Sequence, residues 1–271
     1  MTESLAVRAV IFDWAGTVVD YGSRAPMQAF VEVFKQFKID ITIEEARIPM
    51  GLPKWDHIQA LGRLPRIAEA WRRAHGREFS NADIDAIYEV FVPMNAEVIP
   101  DYAELIPGAL DTVRELRNRG LKIGSTTGYV HEIMDVLVPL AAKQGFAPDC
   151  MVCAGDLAAG RPTPLMMYRC FIDLNAWPAA ACVKVDDTEP GIAEGLAAGT
   201  WTVGVATTGN GFGLSPQESA ALSPEEFAQR RAKSAQELEA AGAHFVIDGV
   251  SDLLPVIEEI NNRLSRGERP C

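Results

Sequence analysis

The sequence predicts an α/β fold, with a Rossmann-like parallel-sheet core and an inserted α-helical cap domain. Three observations carry that prediction. Short β-branched apolar runs alternate with longer stretches of helical period, the pattern of a parallel sheet covered by helices. The alternation breaks once, between residues 23 and 100, where helical segments follow one another without a convincing strand. And 271 residues, 48% of them hydrophobic, suffice for one full core and a smaller domain beside it.

Strands are expected at residues 7–12, 121–125, 150–153, 182–185, 201–205 and 244–247, each a short run dominated by apolar side chains. Helices are expected near 108–119, 130–143, 164–174, 190–198 and 251–264. Gly120, Gly145 and Gly199 fall where a left-handed residue would close the preceding helix. The core then takes residues 1–22 and 101–271, and the helical insertion takes 23–100. Because the insertion leaves the core soon after the first strand ends, it is expected to cover whatever that strand end carries. Within it, Phe30, Phe34 and Phe37 follow i, i+4, i+7 spacing, which serves either an internal core or a contact with a second copy. Residues 215–241, rich in Ala, Glu, Gln and Arg, read as a solvated helical excursion without chemistry.

A formal net charge of −12 argues against nucleic-acid binding, which depends on Lys and Arg neutralising phosphates. It leaves room for a small phosphorylated substrate, since a few local cations or one metal ion reverse the field within a pocket. Cys150 and Cys153 form a C-x-x-C, yet no second pair follows at zinc-ligand spacing. With Cys170, Cys182 and Cys271 they read as ordinary thiols. No basic stretch leads into a long apolar run, and no run is long enough to span a bilayer. A cytoplasmic protein without membrane partners is the expectation.

Four segments carry candidate chemistry. In Val10-Ile11-Phe12-Asp13-Trp14-Ala15-Gly16-Thr17 a buried strand ends in a carboxylate followed by a small loop. Open α/β sheets bind ligands at the carboxyl ends of their strands, so Asp13 is aimed at that site. In Ile123-Gly124-Ser125-Thr126-Thr127-Gly128 a strand ends in hydroxyls and a glycine, suited to phosphate oxygens through O–H and backbone N–H groups. Gly160-Arg161-Pro162-Thr163-Pro164 holds a forked cation on a short loop before a helix. Val183-Lys184-Val185-Asp186-Asp187-Thr188 ends in two carboxylates, which with Asp13 form the oxygen-rich set that Mg²⁺ prefers.

Asp13, Thr127, Arg161 and Asp187, in this order and each at a strand end or in a loop before a helix, resemble the haloacid dehalogenase superfamily across nearly the whole chain. The resemblance implies that Asp13 is a nucleophile that carries an aspartyl-phosphate, and that Thr127 and Arg161 hold the phosphoryl group. It implies that Asp13, the backbone carbonyl of Ala15 and the carboxylates of Asp186 and Asp187 bind Mg²⁺, with Asp187 as the direct ligand. It makes the helical insertion a cap, and it implies a homodimer joined through the caps.

Two departures stand out. Most phosphatases of that superfamily place a second Asp two residues after the nucleophile, to protonate a leaving alkoxide; here the position is Ala15. Many also place an Asp four residues after Asp187, where this chain has Gly191. The stretches DWAGTVVDYGS, MGLPKWDHI, IGSTTGY, AGRPTP and DDT followed by EGLAAGTWTVGV resemble the branch that cleaves a carbon–phosphorus bond. That likeness implies that Lys54 forms an imine with an aldehyde substrate, that His57 and Tyr129 lie near the aldehyde, and that Met50 and Gly128 line the same pocket. His57 is the candidate for proton transfer, since an ordinary imidazole titrates near neutrality.

The expected reaction is hydrolysis of phosphonoacetaldehyde, a small phosphonate, to acetaldehyde and phosphate. Ala15 then fits, because an enamine leaving group needs no proton donor. A phosphatase or phosphomutase acting on a phosphorylated metabolite is the alternative among enzymes. Outside enzymes, the alternative is a phosphate sensor.

Overall fold

The computed structural model describes residues 5–270, so Cys271 lies outside the described residues. Six parallel strands, β1 (Ala9–Phe12), β2 (Lys122–Thr127), β3 (Cys150–Cys153), β4 (Cys182–Asp186), β5 (Trp201–Val205) and β6 (Phe245–Ile247), form one sheet. Their order is β3-β2-β1-β4-β5-β6. The chain therefore starts in the middle of the sheet and grows outward on both sides, which places a switch point at the end of β1.

Each strand of the centre is buried along its length, as a parallel sheet covered on both faces requires. Along β1 the side chains alternate between two cores. Val10 and Phe12 join the larger cluster, and Ala9 and Ile11 face the helix α8 (Leu165–Leu174) with Met166, Met167 and Cys170. The larger cluster also holds α6 (Ala109–Asn118), α7 (His131–Lys143) and α12 (Leu253–Ser265). On the other side of the sheet, α9 (Glu189–Ala197) follows β4.

The expected strand at 121–125 runs on to Thr127, because Thr126 and Thr127 pair with Val152 and Cys153 of β3. The expected strand at 7–12 starts only at Ala9, where pairing with both β2 and β4 begins. Gly120, Gly145 and Gly199 have φ of +82°, +101° and +77°, the left-handed geometry expected after a helix.

Residues 23–100 form five α-helices, α1 (Ala25–Gln36), α2 (Ile43–Arg47), α3 (Lys54–Arg63), α4 (Pro65–His75) and α5 (Asn81–Val98), and no strand. Asp20 accepts from the backbone amides of Arg24 and Ala25 at 2.9 Å each, satisfying two free donors where α1 begins. Phe30 and Phe34 are fully buried and Phe30 stacks on Phe91 of α5 at 4.1 Å, so these rings form internal core. Phe37 is half-buried against Trp71.

Residues 215–241 are less detached than their composition suggests. They form α10 (Pro216–Ala221) and α11 (Pro224–Ala240), and α11 buries Ser234, Ala235 and Leu238 against Ile192 and Ala206. Small Ala and Ser faces conceal this contact from a hydropathy reading. Among the described residues, no helix is long and apolar enough to cross a membrane.

Candidate active site

The carboxyl ends of β1, β2 and β4 and the loop before α8 bring together side chains far apart in the chain. Asp13 stands one residue past β1, and its amide still donates to Val185 O at 2.9 Å, so its backbone is fixed by the sheet ladder. Its carboxylate Oδ1 accepts from Arg161 Nη2 at 2.8 Å. The same nitrogen reaches Thr126 O at 2.8 Å and lies 3.1 Å from Asp186 Oδ2, while Arg161 Nε donates to Glu194 Oε2 at 3.1 Å. The guanidinium is thus held by protein carboxylates, which differs from the free fork expected from its loop. It is buried, and the surrounding negative charge outweighs desolvation and raises its pKa further.

Lys184 and Glu194 complete this network and were given no role by the sequence reading. Lys184 Nζ donates to Thr126 Oγ1 at 2.6 Å and lies 3.1 Å from Asp186 Oδ2 and 3.2 Å from Glu194 Oε2. Both residues are fully buried. A charged residue in the middle of a buried parallel strand is itself a signal, since such strands are otherwise apolar. Glu194 sits inside α9, where nothing in its neighbourhood distinguishes it from a surface glutamate.

The two adjacent carboxylates differ in state. Asp186 is held below the usual carboxylate range because Arg161 and Lys184 overcome its burial. Its Oδ1 accepts from Thr188 N and Oγ1. Among the described residues, no cation lies within ion-pair distance of Asp187. Its Oδ2 accepts from Asn210 N at 2.7 Å, and Thr17 Oγ1 stands 3.5 Å from its Oδ1. Burial, with repulsion from Asp13 and Asp186, pushes its pKa well up. Asp13 is pushed up to about 6 by burial and by Asp186, against the pull of Arg161 and Lys184.

Carboxylate oxygens of Asp13, Asp186 and Asp187 lie within 4.8 Å of one another. Three buried acids so placed fit a divalent hard cation, whose charge would lower all three pKa values. At Gly191 a Cβ would stand 2.0 Å from Asp186 Cγ. An acidic side chain there has no room, so the departure seen in the sequence is a packing requirement.

A narrow pocket of about 20 Å³ opens over Asp13. Ala15, Thr127, Gly128, Tyr129 and Arg161 line it from the core, and Met50, Gly51 and Lys54 from the helical insertion. Lys54 begins α3 and is 3% exposed. Its Nζ lies 4.0 Å from Met50 Sδ, 4.8 Å from the Tyr129 ring centroid and 5.8 Å from that of Phe30. Among the described residues, no carboxylate lies within ion-pair distance of Lys54. Burial lowers its pKa to about 8, with Asp13, Asp20 and Asp187 pulling back from further away.

Thr127 Oγ1 accepts from Tyr129 N at 3.1 Å, which shapes the turn after β2. Ser23, buried and lining the pocket, is a further polar group that the motif reading passed over.

His57 shares a face of α3 with Lys54 but does not line this pocket. Its Nε2 donates to Ala46 O at 2.9 Å, and its ring stacks on Phe30 at 4.0 Å. Burial and Lys54 hold its pKa well below the ordinary value, so it is neutral and does not titrate near pH 7. The expectation of a near-neutral imidazole fails because the ring is fully desolvated.

A haloacid dehalogenase-like hydrolase model matches residues 7–199, which includes β1 through α9 and all four segments. The chain belongs to that hydrolase family. Within the family, it is 57% identical to the phosphonoacetaldehyde hydrolase of Paraburkholderia xenovorans, over 97% of this chain and 99% of the relative. It is 53% identical to the enzyme of the same name from Klebsiella pneumoniae, again over 97% of this chain and 99% of the relative. A phosphonoacetaldehyde hydrolase-like protein from Oleispira antarctica superposes with a TM-score of 0.97 at 43% identity, covering 98% of this chain and 97% of the other. These relatives place this family member in the phosphonoacetaldehyde hydrolase branch.

Proposed function

We propose that the chain hydrolyses the carbon–phosphorus bond of phosphonoacetaldehyde to acetaldehyde and phosphate, through an imine on Lys54 and a phosphoryl group on Asp13. The observation that carries this reading is the shared pocket. A nucleophilic carboxylate, Asp13, lies on its floor, and a desolvated, carboxylate-free amine, Lys54, lies on its cover. In this reading residues 23–100 act as a cap.

The chemistry requires both groups. Breaking the P–C bond directly would expel a carbanion. Condensation of the aldehyde with Lys54 releases water and gives a protonated imine two bonds from phosphorus. Asp13 then attacks phosphorus, and the P–C electron pair moves into the imine to form a neutral enamine. Water cleaves the acyl phosphate on Asp13. The enamine takes a proton on carbon and hydrolyses, freeing Lys54 and acetaldehyde. No alkoxide leaves, which agrees with Ala15 at the position of the missing acid.

Arg161, Lys184 and Glu194 keep Asp13 aimed, and Thr127 and Gly128 offer donors to phosphoryl oxygens. Asp13, Asp187 and the Ala15 carbonyl would hold Mg²⁺, with Asp186 orienting from behind; the ion supplies charge that offsets the oxygens at phosphorus. A homodimer belongs to the same reading and is checked by light scattering.

Borohydride trapping with phosphonoacetaldehyde, followed by peptide mass spectrometry, tests the mechanism on wild type and Lys54→Arg. A reduced two-carbon adduct on the Lys54 peptide, with phosphate release lost in the variant, is expected. Phosphate release that survives in the variant without any adduct would leave phosphate-ester chemistry instead.

A further inference from the structure

Arg47 ends α2, outside the pocket, yet its side chain reaches two separate parts of the core. Nη1 donates to Gly22 O at 2.9 Å and Ser23 O at 3.2 Å, at the point where the chain leaves the core. The same nitrogen donates to Asn210 Oδ1 at 3.1 Å, and Nη2 donates to Gly213 O at 2.9 Å. Asn210 answers through Nδ2, which donates to Arg47 O at 3.3 Å. With the carbonyl of Asn210, 3.5 Å from Nη1, the acceptors are five neutral oxygens, so the contact depends on the spread of the guanidinium fork more than on pairing of charge.

What Arg47 grips is connected to the chemistry at both ends. The backbone amide of Asn210 donates to Asp187 Oδ2 at 2.7 Å, so the loop held by Arg47 is the one that orients Asp187. In the other direction, Met50, Gly51 and Lys54 follow Arg47 within two turns of chain and form the pocket cover. Ser23, whose carbonyl Arg47 binds, lines the pocket as well. One side chain therefore fixes the cover to the turn where the chain leaves the core and to the loop behind the carboxylates.

We infer that Arg47 is a positioning residue that clamps the helical insertion to the core through Gly22, Ser23, Asn210 and Gly213, and so sets Lys54 over Asp13. This rests on the two-residue chemistry proposed above. It divides the reaction. Imine formation needs only Lys54 and substrate, whereas transfer of phosphorus to Asp13 needs the two registered against each other.

The test uses Arg47→Ala and Arg47→Lys in the full chain, with two readouts. Amide hydrogen exchange without substrate should speed up by tenfold or more at residues 22–24 and 208–214, and stay unchanged in β1, β2 and β4. With substrate, borohydride should still trap the imine on Lys54, while phosphate release falls roughly tenfold to a hundredfold. Arg47→Lys keeps the charge but cannot span these acceptors, so it should share both signatures; it also serves if Arg47→Ala does not fold. Unchanged exchange in those two segments, or phosphate release at the wild-type rate, would overturn the clamp. If wild type itself traps no imine, the lysine mechanism fails, and the exchange readout still decides whether Arg47 holds the two parts together.

Discussion

Lys54 Nζ stands 4.8 Å over the ring centroid of Tyr129, and a ring face replaces the carboxylate that a buried ammonium ordinarily requires. The quadrupole of the ring favours the charged amine, while burial, against the more distant pull of Asp13, Asp20 and Asp187, lowers its pKa to about 8. Imine formation needs the neutral amine, so trapping and turnover should rise with pH toward that value. Removing the ring in Tyr129→Leu should move this limb down by roughly half to one pH unit, whereas Tyr129→Phe should leave it in place. A pH profile of borohydride trapping in the three proteins reads this directly.

The same amine costs stability. A lysine titrating at about 8 when folded and near 10.5 when unfolded binds its proton more weakly in the fold. The unfolded state holds more protons between those values, so wild-type stability rises with pH through that window and carries the full cost below it. Lys54→Met should therefore be inactive yet more stable at pH 7, by on the order of 2 kcal/mol. The gap should close as the pH of urea melts is taken from 8 to 10.5.

Glu194 touches no pocket surface, but its Oε2 accepts from Arg161, Thr126 and Lys184. Glu194→Gln leaves two buried cations with one countercharge fewer, which should destabilise the protein by roughly 3 kcal/mol. Because Arg161 then loses its aim on Asp13, kcat should fall about tenfold or more with the Lys54 imine still trapped. Denaturant melts and steady-state kinetics on one preparation would separate the two effects.

The carboxylate cluster makes a third pH dependence. Asp13 at about 6, and Asp187 well above the ordinary value, bind protons more tightly when folded than when unfolded. In chelator, stability should fall as pH rises from about 4 through 6. Mg²⁺ should restore it, with a larger increase in melting temperature at pH 7.5 than at pH 5. Asp187→Asn should shrink that increase most, since Asp186 already has Arg161 and Lys184 as partners.

Much of this was legible in the sequence, and the reasons differ from one element to another. β1 and β5 declare themselves because a strand buried on both faces is a largely apolar run closed by polar residues. Asp13, Thr127, Arg161 and Asp187 are visible because each sits at a strand end or in a loop before a helix. What escaped is what depends on three-dimensional neighbours. The occupied fork of Arg161 could not be foreseen without Glu194, which comes from the interior of a helix. His57 looks like an ordinary imidazole until Phe30 and Ala46 enclose it. Arg47 reads as a helix-ending cation, and only folding shows that Asn210 and Gly213 come to meet it.

The strand order has a consequence for how the molecule is made. Ala9 lies opposite Lys122 on one side and Cys182 on the other, so β1 leaves the ribosome long before either neighbour exists. The five helices that follow can pack on one another in the meantime, through contacts that are short in sequence. Asp13 must wait, at the end of an apolar strand that β2 can pair on one edge only, until β4 has been translated. A stalled or truncated product ending before β4 would expose β1 with one edge open, the kind of species that chaperones retain and that aggregates when they do not.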